Sequence, residues 1–385
     1  MSHQSDIQFY HHGRFRVTGG VLPDAVTAYR TYGQPGNPCI VFPTCYGGRL
    51  DNTGLLGQDY MIGTDKALDP SKYFIVTLAL FSNGEVNMQS CAAFQELLTS
   101  SCQSSSPSNT PAPYNGPYFP AVSYEDNVRA QYAVLTQALN IQKAHCVIGF
   151  SMGAQQAYYW AVMYPDFVEK YARVDLLRAL LTASRFVAVC GSARTSQHNK
   201  CFLEGPKAAL VNSKDFDNGH YTQEPQLGIR AFARVYSAWA YGQTWFREHG
   251  YLMDGLYSSL DNFLRAEWEG GFLGFWDAND LITLLHTWQT GDVSLVGKTG
   301  LISCADDHAF ATALAGIKAK GLVMPSRTDL YFPPEDSRIE VSLMKNSAKL
   351  VVIDSVWGHM GLFLNEGQAW YFSPERLYWQ KSQYY

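Results

Sequence analysis

Six runs of the chain are apolar almost without a break: 39–44, 73–80, 145–150, 185–190, 321–326 and 349–353. Strands buried on both faces read this way, because neither face meets water, so the runs predict a mostly parallel sheet covered on two sides. Between them the apolar period changes to three and four. Residues 126–139 predict one helix, and a second is predicted from about 153 to 164, where Pro165 stops it. Strands alternating with helices predict an α/β fold, doubly wound around one sheet.

Three stretches depart from this rhythm. Residues 101–118, rich in Ser and Pro, predict a long surface loop, because so little of the segment is apolar. Residues 205–315 lack strand signals and carry helical, aromatic-rich text, including 230–241 and 281–288. They predict a helical cap inserted into the core, whose first half is then 1–204 and whose second half is 316–385. Residues 175–187 read as an extra helix or as a retained intron in a eukaryotic gene, since 174 joined to 188 would give a smooth helix-to-strand text.

Composition narrows the function classes. The chain has 385 residues, 46% hydrophobic and 16% charged, with 29 Lys+Arg against 34 Asp+Glu for a formal charge of −5. No basic run exists to release counterions from a phosphate backbone, so nucleic acid is not an expected partner. No apolar leader and no stretch of about 18 apolar residues is seen, so the expectation is a cytoplasmic protein without a membrane span. Eight cysteines stand singly with no C-x-x-C pair, which argues against a zinc cluster and a disulfide scaffold.

The chemistry concentrates at Gly149-Phe-Ser-Met-Gly153, a G-x-S-x-G match directly after a predicted buried strand and before a predicted helix. Glycines there allow a sharp turn that presents the serine hydroxyl at the end of the sheet, facing a helix N-terminus. A serine needs a base to take its proton and a group to orient that base. Of ten histidines, His359 follows the last predicted strand; His11 and His12 sit in a polar N-terminal stretch, and His220, His249 and His286 in the cap. The orienting acid is expected after the penultimate strand, where Asp329 is favoured over Glu335 and Asp336, which follow two prolines and look like a helix start. Oxyanion donors are expected from the backbone N–H of Met152 and, in the glycine-bearing loop after 39–44, of Cys45. The rival reading of Cys45 as a thiol nucleophile lacks a neighbouring histidine.

At these residues the chain resembles the homoserine O-acetyltransferase branch of the α/β-hydrolase superfamily, through 28–33, 126–131, 152–156, 275–279, 328–333 and 357–359. The resemblance implies Ser151 as nucleophile, Asp329 as acid, His359 as base, a helical lid, and no metal or bound cofactor. Two departures count against homoserine as substrate. Members that use it carry an aspartate after the histidine, where this chain has Met360, and a glycine-rich segment where this chain reads Leu80-Phe-Ser-Asn-Gly-Glu85. The expected function is hydrolysis of an ester or thioester of a small acyl substrate. Acyl transfer, with acetyl-CoA as co-substrate, is the alternative, and a non-catalytic binding protein of the same fold the third reading. A homodimer is compatible with all three. The tryptophans at 239, 245, 268, 276 and 288 either line an acyl pocket or pack the cap onto the core.

Overall fold

Each of the six apolar runs becomes a strand, and a hairpin precedes them. The computed structural model describes residues 6–50, 61–85, 103–168, 186–298, 306–345 and 348–363. Its strands are β1 (Gln8–Val17), β2 (Gly20–Tyr32), β3 (Cys39–Pro43), β4 (Phe74–Leu78), β5 (Cys146–Phe150), β6 (Phe186–Val189), β7 (Gly321–Met324) and β8 (Lys349–Leu350). They form one sheet in the order β1-β2-β4-β3-β5-β6-β7-β8, parallel from β4 to β8, with β1 and β2 antiparallel at one edge. Every residue of β3, β4, β5 and β6 is buried, which is why these segments read as continuous rather than alternating.

The edge hairpin adds two strands that the apolar runs do not predict. β1 faces water over much of its length, so its polar content does not oppose strand formation. His11 and His12 lie on it, bonded to Asp24 at 3.0 Å and to Thr27 at 2.9 Å. The Ser/Pro-rich stretch is corrected in part as well. Ser104, Ser105 and Ser106 are buried, because their polar groups satisfy backbone: Ser105 Oγ accepts from Val26 N at 2.8 Å and Ser104 Oγ from Glu85 N at 3.0 Å. Beyond Pro107 the segment turns outward as expected. The unusual stretch at 175–187 lies outside the described residues except for Phe186 and Val187, which open β6.

Helix α1 (Tyr124–Ala133) starts at Ser123, whose hydroxyl accepts from Asp126 N while Asp126 returns a bond to the Ser123 backbone, and one wider turn, Val134–Ala138, extends it. Helix α2 (Met152–Met163) follows β5 directly. Between β6 and β7 run α3 (Gln197–Val211), α4 (Gln226–Ala240), α5 (Ala278–Gln289) and α6 (Asp307–Ala315). Helix α7 (Pro334–Leu343) lies between β7 and β8.

A buried carboxyl ties α7 to the centre. Glu340 accepts from Tyr158 Oη on α2 at 2.7 Å and from Ala193 N, after β6, at 2.6 Å. Burial raises its pKa from 4.5 to about 8. In the unfolded chain the group ionises near its ordinary value, so unfolding releases a proton between about pH 4.5 and 8, and stability falls as pH rises through that interval. Glu340→Gln keeps the shape of the protonated group. Chemical denaturation should show the variant gaining on the parent between pH 5 and pH 9 by several kcal/mol, on the order of 4 for the full shift. An equal difference at both pH values would refute this account.

Candidate active site

The turn from β5 into α2 is built by close packing. A Cβ on Gly149 would lie 2.0 Å from the carbonyl of Gly153, and one on Gly153 would lie 2.8 Å from Pro43 O, so neither position accepts a side chain. Between them Ser151 adopts φ 56° and ψ −123°, a left-handed conformation that costs a non-glycine residue of the order of 1–3 kcal/mol. The strain is held because Ser151 N donates to Val189 O at 2.9 Å and Ser151 O accepts from Ala154 N and Gln155 N at 2.9 and 3.1 Å. Gly149→Ala should therefore cost more than about 3 kcal/mol in a urea unfolding titration, since the clash is with backbone rather than a movable side chain. A variant as stable as the parent would contradict this packing account.

His359 comes from the loop after β8, 208 positions away in sequence. Its Nε2 lies 2.9 Å from Ser151 Oγ, and its Nδ1 lies 2.8 Å from Asp329 Oδ2. The other carboxylate oxygen of Asp329 accepts from Tyr331 N at 2.8 Å and Phe332 N at 3.0 Å, an Asx turn that aims the carboxylate at the ring. Thr328 staples the two loops: its hydroxyl donates to Ser355 O at 2.8 Å and accepts from Gly358 N at 3.0 Å. Gly358, at φ 65°, passes so close to the backbone of Tyr241 and Gly242 that a Cβ would meet it at 2.5 Å. All three side chains are buried, Ser151 being 3% exposed and His359 4%.

Met152 is the first residue of α2, and Cys45 lies buried in the loop after β3. Burial pushes the Cys45 thiol up to about 12, so it stays protonated at neutral pH, which speaks against a thiolate at this position. The competing acids are placed elsewhere. Glu335 pairs with Arg338 at 2.8 Å on the exposed start of α7, where Asp336 also sits.

Cys190, unremarked in the sequence, lies beneath this group. Its Sγ, a carboxylate oxygen of Asp329 and a ring nitrogen of His359 lie within 4.8 Å of one another. Burial, and the Asp329 carboxylate beside it, raise its thiol well above the ordinary range, and the thiol donates to Met324 O at 3.9 Å. Asp329 and His359 spend their atoms on each other, so the trio offers no spare set of metal ligands.

Aromatic rings pack beside the site. Tyr331 and Phe332 lie 4.8 and 5.7 Å from the His359 ring, Trp288 stacks on Phe332 at 5.5 Å, and Tyr46 stacks on Tyr236 at 5.4 Å. Of the five tryptophans considered, Trp288 thus adjoins the site. Trp245 stacks on Tyr241 and Trp239 packs on Phe202. A separate cleft of about 380 Å³ among the segments between β6 and β7, lined by Tyr221, Glu224, Phe275 and Trp276 among others, contains none of the three site side chains. Asp277, which also lines it, caps α5 by accepting from Asn279 N and Asp280 N.

Residues 101–181 match the family model described as the alpha/beta hydrolase fold. The chain is 31% identical to an ethyl acetate hydrolase of Pseudomonas veronii, across 91% of this chain and 88% of that one. It is 28% identical to a homoserine O-acetyltransferase of Trichormus variabilis, across 89% and 85%. Among solved structures, an acetylester hydrolase from Corynebacterium glutamicum superposes with a TM-score of 0.76 at 28% identity, covering 98% of this chain and 95% of that one.

Proposed function

From a chain that belongs to the α/β-hydrolase superfamily, in the branch containing esterases and homoserine O-acyltransferases, we infer an esterase that cleaves short-chain acyl esters, acetyl esters foremost, through an acyl group carried on Ser151. The observation that carries this reading is the continuous series Ser151 Oγ, His359, Asp329 at 2.9 and 2.8 Å. A carboxylate only accepts, so the histidine carries its proton on Nδ1 and leaves Nε2 bare toward the serine.

Ser151 Oγ attacks the ester carbonyl carbon while its proton passes to His359 Nε2. The carbonyl oxygen becomes an oxyanion, for which the N–H groups of Met152 and Cys45 are the donors in this reading. The intermediate collapses, the C–O bond to the alcohol breaks, and His359 returns the proton to the departing alkoxide. Water then enters, loses a proton to His359 and attacks the acyl-serine. The second collapse releases the acid and restores the serine. One ester and one water give one acid and one alcohol.

Hydrolysis is preferred to transfer onto homoserine because Met360, the residue after the histidine, packs with the apolar core and offers no carboxylate to an ammonium group. The burial of Ser151 and the rings of Tyr331 and Phe332 beside His359 support a short acyl chain. Hydrolysis rates for p-nitrophenyl esters of two to eight acyl carbons should fall steadily beyond the shortest members. Adding acetyl-CoA with homoserine should give free acid and no O-acetylhomoserine by mass spectrometry; acetylated homoserine as the main product would overturn the assignment to hydrolysis.

A further inference from the structure

We propose that Gln156 is a positioning residue for the oxyanion donor on Cys45, a role that rests on the acyl-serine reading above. A trans peptide is planar, with its C=O and N–H pointing in opposite directions. The direction of the Cys45 N–H is therefore set by the carbonyl of Thr44. That carbonyl accepts from Gln156 Nε2 at 2.8 Å.

The amide of Gln156 is held in this sense by a buried chain of polar side chains. Its Oε1 accepts from Gln131 Nε2 at 2.6 Å, and Gln131 Oε1 accepts from Trp160 Nε1 at 3.0 Å. Indole is a donor only, and a backbone carbonyl is an acceptor only. With a donor at one end and an acceptor at the other, both amides between them can satisfy the chain in one orientation. Turning either over would set oxygen against oxygen and nitrogen against nitrogen. Thr44, Gln131, Gln156 and Trp160 are all fully buried, so water cannot repair such a mismatch.

Gln156 Nε2 also donates to Met152 O at 3.1 Å, so the same amide reaches both the loop that carries Cys45 and the first turn of α2, which carries Met152. The Ser151–Met152 peptide is fixed separately, through Ser151 O. Thr44 is anchored on its other sides by Thr44 N to Leu78 O at 2.9 Å and by Leu80 N to its hydroxyl at 3.1 Å. Those bonds hold the loop in place. The bond from Gln156 adds the orientation of the Thr44–Cys45 peptide plane, which carries the second of the two donors.

The test separates orientation from folding by comparing a ground state with an oxyanion. In Gln156→Met, kcat for p-nitrophenyl acetate should fall about 10- to 100-fold, less than the loss of a whole oxyanion donor, while KM stays within twofold. The affinity of a trifluoromethyl ketone, which adds to the serine and forms an oxyanion, should weaken by the same factor, and that of the matching methyl ketone should not change. Gln131→Leu, which leaves Gln156 in place but removes the donor that orients it, should show a smaller loss in the same proportion between kcat and inhibitor. The proposal fails if a folded Gln156→Met keeps kcat and trifluoromethyl ketone affinity within twofold of the parent, or if both ketones weaken together. Should Gln156→Met not fold, the same two outcomes in Gln131→Leu decide the matter. An active Ser151→Ala would instead remove the acyl-serine reading itself, whatever the glutamine variants do.

Discussion

Ser151→Ala should lower kcat/KM for p-nitrophenyl acetate by about 10⁵- to 10⁶-fold, leaving only the catalysis that oxyanion donors and binding supply to an attacking water. Among the described residues the group bonded to His359 Nε2 is this hydroxyl, at 2.9 Å, and the thiols of Cys45 and Cys190 are held protonated by burial. The backbone at 151 is stabilised by main-chain bonds, so alanine should keep the same φ and the same melting temperature to within a few degrees. Intact-mass measurement after rapid mixing with substrate should show an acetyl adduct on the parent and none on the variant. Retention of even a tenth of the parent's activity by the folded variant would end the nucleophile assignment.

Asp329→Asn should cost about 10⁴-fold in kcat, nearly all of it through the wrong histidine tautomer. The asparagine oxygen can still accept from Tyr331 N and Phe332 N, so the turn is preserved. Its NH₂ then faces His359 Nδ1. Two donors cannot face each other, so the ring moves its proton to Nε2 and presents a hydrogen to Ser151 where it must present a lone pair. Glu335→Gln and Asp336→Asn are the controls, because these carboxylates sit on α7 outside the series of bonds, and both should stay within twofold of the parent. A tenfold loss in either, with Asp329→Asn active, would transfer the role to the competitor.

How much of this is legible in the sequence depends on how local the cause is. The core strands showed themselves because burial on both faces leaves an apolar run. The β1–β2 hairpin did not, because an edge exposed to water carries polar residues whether or not it is a strand. The buried serines at 104–106 were hidden for the opposite reason. Serine reads as polar, and only the backbone groups of Val26 and Glu85, distant in sequence, give its hydroxyl a reason to be inside. Gln131 and Gln156 lie on helices that the sequence predicts, yet a glutamine on a helix carries no mark of burial. A recognisable signal was the Asp329-Leu-Tyr-Phe332 stretch, in which an aspartate followed by two available amides can form an Asx turn.

By itself the sequence determined which chemical groups were available and in what order: a serine between glycines after a buried strand, an acid and then a histidine after later strands. It could do so because steric demands at a turn and burial of a strand act over a few neighbouring residues. Tertiary structure alone decided which acid meets the histidine, that Cys190 lies against the pair, and that Gln156 holds the carbonyl of Thr44. Those contacts span from about 30 to over 200 positions, and their directions depend on how separate loops converge at the ends of β3, β5, β7 and β8. A hydrogen bond needs a few tenths of an ångström and a correct angle, and that precision exists only after the whole sheet has closed around it.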